Sequence, residues 1–209
     1  MVKRIFNFGL PKTATTSLNR ALEMLGFSTL HNPKHFRKQA MEGCYQFEPD
    51  DWQALTNFGE HFYPQLDQAY PESKFILTVR DERVWLKSWE RQIGDSTGDE
   101  VGARWEWSRK IRTLMRNVSA AVKDEIPVSH LHSRIDIFGT YKFHAERALY
   151  VYRLHQKNAI DYFRNRPDDL LVLDITAGEG WEKLCPFLEI QDLPDTPFPV
   201  KRPKQSPHA

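Results

Sequence analysis

The chain has 209 residues, of which 40% are hydrophobic and 12% aromatic, a composition that excludes a disordered protein and allows one well-packed domain. The formal net charge of +1 argues against a broad affinity for nucleic acid or for membrane surfaces. No apolar run predicts a transmembrane segment, no signal peptide is indicated, and two cysteines, Cys44 and Cys185, do not make a disulfide framework. These features predict a single-domain protein of the reducing cytoplasm.

The first elements of the chain are a short strand and an amphipathic helix. Apolar bulk at residues 3–8 predicts the strand. Apolar residues then recur at the i, i+3, i+4 and i+7 spacing of one helix face, at Leu18, Ala21, Leu22 and Leu25. Gly26 follows in the position where a left-handed glycine commonly ends a helix, so the helix is predicted to end there.

Between this strand and helix lies a loop rich in groups that bind phosphate. It holds Lys12 and four hydroxyl side chains, those of Thr13, Thr15, Thr16 and Ser17. A loop at a helix N-terminus offers backbone N–H groups and the positive end of the helix dipole, so it attracts phosphate. A turn whose hydroxyls only cap the helix needs one such side chain, and this loop exceeds that requirement.

Further along the chain, strands and helices are predicted to alternate. A second strand is predicted at residues 27–30, helices near 33–43 and 61–69, and strands buried on both faces at 74–79 and 170–175. A long helical region is predicted from about residue 82 to residue 163, with breaks near 94–102 and 127–139.

This alternation predicts an α/β fold with an open, mostly parallel sheet between two layers of helices, and with ligands at the carboxyl ends of the strands. We expect residues 1–209 to form one domain, with a helical acceptor or lid region at about 94–140 and an extended, proline-rich tail at 194–209.

A second anion-binding element is predicted where the strand at residues 74–79 ends. Arg80 follows that strand directly, on the same sheet edge as the Lys12 loop, and Ser88 lies two helical turns further on. A guanidinium and a hydroxyl that meet there can bind a second phosphate. Arg80 and Asp81 could instead form a local ion pair. The interpretation of this element as a phosphate site therefore depends on the Lys12 loop predicted beside it.

The loop does not fit the Walker pattern, which needs a second glycine directly before the lysine. Its Pro-Lys-Thr-x-Thr-Thr-Ser-Leu order, from Pro11 to Leu18, resembles the 5′-phosphosulfate loop of the sulfotransferases that use the sulfate donor PAPS (3′-phosphoadenosine 5′-phosphosulfate). Arg80 and Ser88 have the spacing of the pair that binds the 3′-phosphate in that family. One departure is Ala14, which stands where the family usually has glycine.

The resemblance implies a P-loop-like sulfotransferase architecture, PAPS as donor and no required metal. It implies that loop residues hold the 5′-phosphate, namely Lys12, Thr13, Ala14, Thr15, Thr16 and Ser17. Lys12 would also stabilise the charge on the leaving phosphate. The acceptor would be a small molecule, sugar or lipid with a hydroxyl or amine, and no nucleic-acid partner or particular oligomeric state is implied.

In the family the general base precedes the strand that ends in the arginine. Related sequences have an aspartate about where Asn57 falls here, and asparagine cannot act as a base. Glu60 and His61 are the nearby candidates, with Glu60 slightly favoured; alternatively Glu60 only begins a helix and His61 is solvated.

Several other histidines and basic residues give weaker indications of function. His130 and His132, with His144 and His155, lack the further ligands of a metal site. Lys201 and Arg202 could reach the 3′-phosphate or belong to a solubilising tail. Two rival functions stay open: an ATP- or GTP-dependent P-loop kinase, and a nucleotide-binding protein that has lost catalysis.

Overall fold

The computed structural model describes residues 4–97, 130–140 and 142–200. Its contacts divide the chain into two compact units. The first contains Met1–Asn32, Pro49–Arg80 and Ala159–Ala209, and the second contains Pro33–Glu48 and Asp81–Asn158. The predictions of one domain, a lid region and a tail therefore stay predictions, since much of residues 94–140 and of the tail lies outside the described residues.

The first unit contains a sheet of five parallel strands in the order β2-β3-β1-β4-β5. In chain order the strands are β1 Ile5–Asn7, β2 Thr29–His31, β3 Ala54–Thr56, β4 Lys74–Thr78 and β5 Leu170–Leu173. The α-helices in the described ranges are α1 Thr15–Met24, α2 Lys34–Met41, α3 Tyr63–Ala69, α4 Glu82–Thr97, α5 His130–Phe138, α6 Ala145–Tyr162 and α7 Trp181–Phe187.

The two faces of the sheet are packed differently because neighbouring residues of a strand point to opposite faces. Ile5 and Ile76 belong to an aliphatic cluster with Leu18 of α1 and Leu184 of α7. Phe6 and its register partner Phe75 point the other way. Their rings stack at 5.3 Å, and Phe75 also packs on Phe163, just after α6.

This second face is held at its rim by an ion pair. Arg166 binds the carboxylate of Asp67, which lies on α3, and its hydrogen bond to Asp67 raises the pKa of the guanidinium. Helices on both faces of a parallel sheet make a three-layer α/β fold, and the predicted fold class is confirmed.

The helix α1 ends as its sequence predicts. Gly26 has a φ of +88°, in the left-handed region. Its N–H donates to the carbonyl of Glu23, and the N–H of Phe27 donates to the carbonyl of Leu22, 3.1 Å away. These two bonds satisfy carbonyls that have no partner within the helix.

The second unit is held by a cluster of stacked aromatic rings. Trp85 lies 4.2 Å from Tyr152, and Trp89 lies 4.7 Å from Phe138, with the paired planes nearly parallel. Trp85 and Trp89 are both buried. The carboxylate of Glu82 binds Arg153 at the surface of the same unit.

Several predicted boundaries differ from the structure. The strand predicted at residues 27–30 lies at Thr29–His31, and β3 had no prediction because three residues show no period. The break predicted at 127–139 is wrong, since α5 occupies most of it; Gly139, with a φ of +67°, follows the helix instead of interrupting it. Helix α4 also continues through Gly94 to Thr97.

Candidate functional site

The loop after β1 passes unusually close to the end of β4. A Cβ added to Gly9 would lie 2.0 Å from Thr78 Oγ1 and 2.6 Å from the Thr78 carbonyl oxygen. Real Cβ atoms do not approach other atoms so closely, so only glycine fits. Gly9 therefore lets the loop start against the neighbouring strand.

Buried hydrogen bonds fix this start of the loop. Thr13 Oγ1 donates to the Leu10 carbonyl at 2.6 Å and must therefore accept the bond from Thr78 Oγ1, 2.8 Å away. Asn7, the last residue of β1, donates through Nδ2 to Thr78 Oγ1 and to the Ile76 carbonyl. Asn7, Thr13 and Thr78 are each almost fully buried. The hydroxyl of Thr13 thus holds the shape of the loop.

Two residues of the loop have left-handed backbones. Lys12 has a φ of +76° and Ala14, the N-cap of α1, a φ of +67°. This conformation costs an L-residue about 1–2 kcal/mol and glycine almost nothing. Ala14 thus holds a glycine-like geometry, and its carbonyl accepts the first bonds of α1, from the N–H groups of Ser17 and Leu18.

The first turn of α1 carries the remaining hydroxyls. Thr15 and Ser17 are buried, and Thr16 is half-buried. The first turn has no acidic residue, and no side chain in the described ranges caps it. The positive end of the helix dipole therefore faces this loop without a carboxylate to neutralise it.

Arg80 lies beside the same loop. Its Nη1 donates to the Lys12 carbonyl over 3.4 Å, and both residues are half-buried. A lysine and an arginine from two different strand ends are thus brought to one edge of the sheet within the first unit. The carboxylate of Asp81 caps α4 through the N–H groups of Arg83 and Val84.

Ser88 lies on α4 in the second unit and is half-buried. Its pairing with Arg80 stays a prediction. Lys201 and Arg202 lie outside the described residues. The tail before them is placed in part: Thr196 accepts a hydrogen bond from the Trp181 indole, and Phe198 packs on the Trp181 ring at 4.7 Å.

The candidate bases differ in their surroundings. Glu60 is only 4% exposed, whereas His61 is exposed to solvent. Asn57 is tied to the end of β1, since its N–H donates to Asn7 Oδ1 at 3.1 Å, and it has a φ of +53°. Asn57 therefore has a structural position at this edge, and its amide side chain cannot act as a base.

Sequence reasoning missed the polar residues that end the strands. Asn7, His31, Thr56 and Thr78 are the last residues of β1, β2, β3 and β4. Parallel strands bring their carboxyl ends to one edge, so these four side chains gather there. A polar residue that closes an apolar strand was the available signal, but β3 itself was not recognised and the end of β2 was misplaced.

Among the described residues no group of three or more histidine, cysteine and acidic side chains is arranged to hold a metal ion. Of the helices in those same ranges, none has the length and apolar character needed to cross a bilayer. Both cysteines have free thiols, and burial raises the pKa of Cys185.

Comparison with known proteins agrees with this geometry. The family model described as a sulfotransferase domain matches residues 4–206, nearly the whole chain. The chain belongs to the sulfotransferase-domain family. It is also similar to the Ava biosynthesis cluster protein M of Aspergillus versicolor, with 26% identity over 229 residues that cover 94% of this chain and 79% of that protein. The family resemblance that the loop and Arg80 indicated is confirmed.

Proposed function

We propose that this protein is a PAPS-dependent sulfotransferase that moves a sulfuryl group to a hydroxyl or amine of a small-molecule acceptor. The products are the sulfated acceptor and adenosine 3′,5′-bisphosphate. The observation that carries the proposal is the contact between Arg80 and the Lys12 loop, in a chain of the sulfotransferase-domain family. Two cationic side chains at one sheet edge suit a donor with a phosphate at each end.

In this proposal, different residues bind the two phosphate-bearing ends of the donor. Lys12, Thr15, Thr16 and Ser17, with the backbone amides of the loop including that of Ala14, hold the 5′-phosphosulfate. Thr13 contributes by holding the loop in shape, because its hydroxyl is engaged by Leu10 and Thr78. Arg80, together with Ser88, holds the 3′-phosphate.

Catalysis then rests on position and charge. The acceptor atom attacks sulfur in line with the bond from sulfur to the 5′-phosphate oxygen, and that bond breaks. Lys12 stabilises the negative charge that develops on the leaving phosphate. A general base takes the acceptor proton. Of the two candidates predicted from the sequence, the burial of Glu60 supports it over the exposed His61. The acceptor is a small molecule, sugar or lipid, and the two free thiols suit a reducing cytoplasm.

The test is the release of adenosine 3′,5′-bisphosphate from PAPS, with and without a chelator and with a panel of acceptors. We expect wild-type turnover to be unchanged by EDTA. The Lys12→Ala change should lower kcat about 100-fold. The Arg80→Ala change should instead raise KM about tenfold, because it weakens donor binding.

Matched controls are Lys34→Ala and Arg83→Ala, both at exposed positions. Equal and trivial effects of Lys12→Ala and Arg80→Ala would contradict the assignment. Magnesium-dependent transfer from ATP would support the kinase alternative. Tight binding of the bisphosphate without transfer to any acceptor would support a protein that has lost catalysis, an alternative indicated by Asn57 and Ala14.

A further inference from the structure

A line of hydrogen bonds connects α1 to the ends of β3 and β2 within the first unit. Asn19 Nδ2 donates to Glu23 Oε1 at 2.6 Å, and Asn19 Oδ1 accepts from Thr56 Oγ1 at 2.7 Å. Thr56 Oγ1 in turn lies 2.8 Å from His31 Nδ1. Thr56 is fully buried and Asn19 is 8% exposed, so the middle of this relay is shielded from water.

The chemistry of each group sets the direction of the relay. An ionised carboxylate only accepts hydrogen bonds, so Glu23 must face the NH₂ group of Asn19. The amide oxygen then faces Thr56, whose hydroxyl proton is used there. Thr56 can only accept from His31, so Nδ1 of His31 must carry a proton. Neutral His31 therefore has its lone pair on Nε2.

This Nε2 atom lies at the candidate site. It is 3.5 Å from the hydroxyl of Thr16, in the first turn of α1 and next to the predicted phosphate groups. His31 is an exposed residue, so an acceptor can approach it from solvent. Thr56, which orients the ring, directly precedes Asn57, whose amide side chain cannot act as a base.

We propose that His31 is the general base of this enzyme and that the relay from Glu23 fixes its active tautomer. The proposal rests on the sulfotransferase function proposed above. The acceptor proton moves to His31 Nε2 as the acceptor oxygen or nitrogen forms its bond to sulfur. The bond from sulfur to the 5′-phosphate oxygen breaks, and its electron pair stays on that phosphate. His31 later returns the proton to solvent.

When no acceptor is bound, the hydroxyl of Thr16 contacts His31 Nε2. This hydroxyl donates to the Nε2 lone pair, and the acceptor hydroxyl replaces it when bound. The relay resembles in logic the carboxylate that orients a catalytic histidine, except that an amide and a hydroxyl stand between the carboxylate and the ring. Asn19, Thr56 and Glu23 are positioning residues in this scheme.

The tautomer is tested without any substrate. Proton–nitrogen correlation spectra of ¹⁵N-histidine protein, assigned by the loss of one ring in His31→Asn, should show neutral His31 with its proton on Nδ1. In Thr56→Val the ring loses its hydrogen-bond acceptor, and the Nε2–H form should appear. A wild-type ring with its proton on Nε2 would overturn the relay, as would an unchanged tautomer in Thr56→Val.

The catalytic role is tested in assays with PAPS as donor. Water alone, a phenol and a primary alcohol serve as probe acceptors. Because a general base contributes about 10²–10⁴-fold, we expect His31→Asn to lower kcat for bisphosphate release by about 100-fold or more. Its Kd for adenosine 3′,5′-bisphosphate should change less than about twofold. The matched control is His35→Asn, at an exposed position of α2.

The outcomes separate the two proposals. If wild-type protein fails to bind the bisphosphate, the sulfotransferase function fails while the tautomer measurement still reports on the relay. If the bisphosphate binds but His31→Asn turns over at the wild-type rate, or wild type releases no product, His31 is not the base. A loss in Glu60→Gln with none in His31→Asn would overturn the proposal in favour of Glu60.

Discussion

Different interactions stabilise two buried regions, the carboxyl edge of the sheet in the first unit and the aromatic cluster in the second unit. At the sheet edge, Asn7, Thr13 and Thr78 are held by buried hydrogen bonds with defined donors and acceptors. In the aromatic cluster, Trp85 and Tyr152 stack with an interplanar angle of 23°. Their packing is stabilised by buried apolar area and by the complementary shapes of the rings. The comparison indicates that directional bonds are concentrated where a loop must be placed accurately.

The largest expected effect falls on the aromatic cluster. Trp85→Ala removes a fully buried ring and leaves a cavity, so it should lower the free energy of unfolding by about 3–5 kcal/mol. Urea titration followed by circular dichroism measures this loss. Trp85→Phe keeps most of the area and should cost clearly less; an equal cost for both changes would mean that the cluster depends on more than packing.

The next effect tests the close approach of the loop to β4. Gly9→Ala places a methyl group against the Thr78 backbone, so the loop must shift, at a cost of about 3 kcal/mol. Calorimetric affinity for adenosine 3′,5′-bisphosphate should fall with it. The control is Gly26→Ala, where a Cβ meets nothing within 4 Å and only the left-handed backbone resists. Comparable binding losses in both variants would contradict the argument.

A smaller effect is expected from the hydroxyl at the centre of the sheet edge. Thr78→Val keeps the shape of the side chain but removes the partner of Asn7 and Thr13, which should cost about 1–3 kcal/mol in thermal or urea unfolding. Thr176→Val, at an exposed hydroxyl that bonds Asp174, is the control and should cost far less. If Thr78→Val were neutral, directional bonds would not explain the edge.

The smallest effect has the opposite sign. Ala14→Gly relieves the left-handed strain at the N-cap of α1 and should raise the free energy of unfolding by up to about 1 kcal/mol. The melting temperature reports this gain, and Ala21→Gly in the interior of α1 should instead lower it. A loss of stability in Ala14→Gly would mean that the loop does not hold this conformation.

Much of the fold could be predicted because it rests on local patterns. The apolar runs of β4 and β5, the period of α1 and its final glycine are all properties of neighbouring residues. The strand β3 could not be predicted, since its three residues are recognisable only from their pairing with β1 and β2.

Part of the candidate site could likewise be predicted from local patterns, and part of it could not. Lys12 and Arg80 could be predicted because each follows a recognisable strand, and the structure brings them into contact. The contact of His31 with Thr56 could not, because it joins residues 25 positions apart through a strand pairing that no local pattern reveals. The proposed base is thus the part of the site that needed the tertiary structure.

Calorimetric titration of wild-type protein with adenosine 3′,5′-bisphosphate, set against ATP, tests the central claim most directly, because it needs no acceptor. We expect the bisphosphate to bind about 100-fold more tightly than ATP, and Arg80→Ala to weaken it about tenfold while Arg83→Ala does not. Tighter binding of ATP than of the bisphosphate, or an Arg80→Ala variant that binds like wild type, would contradict the account.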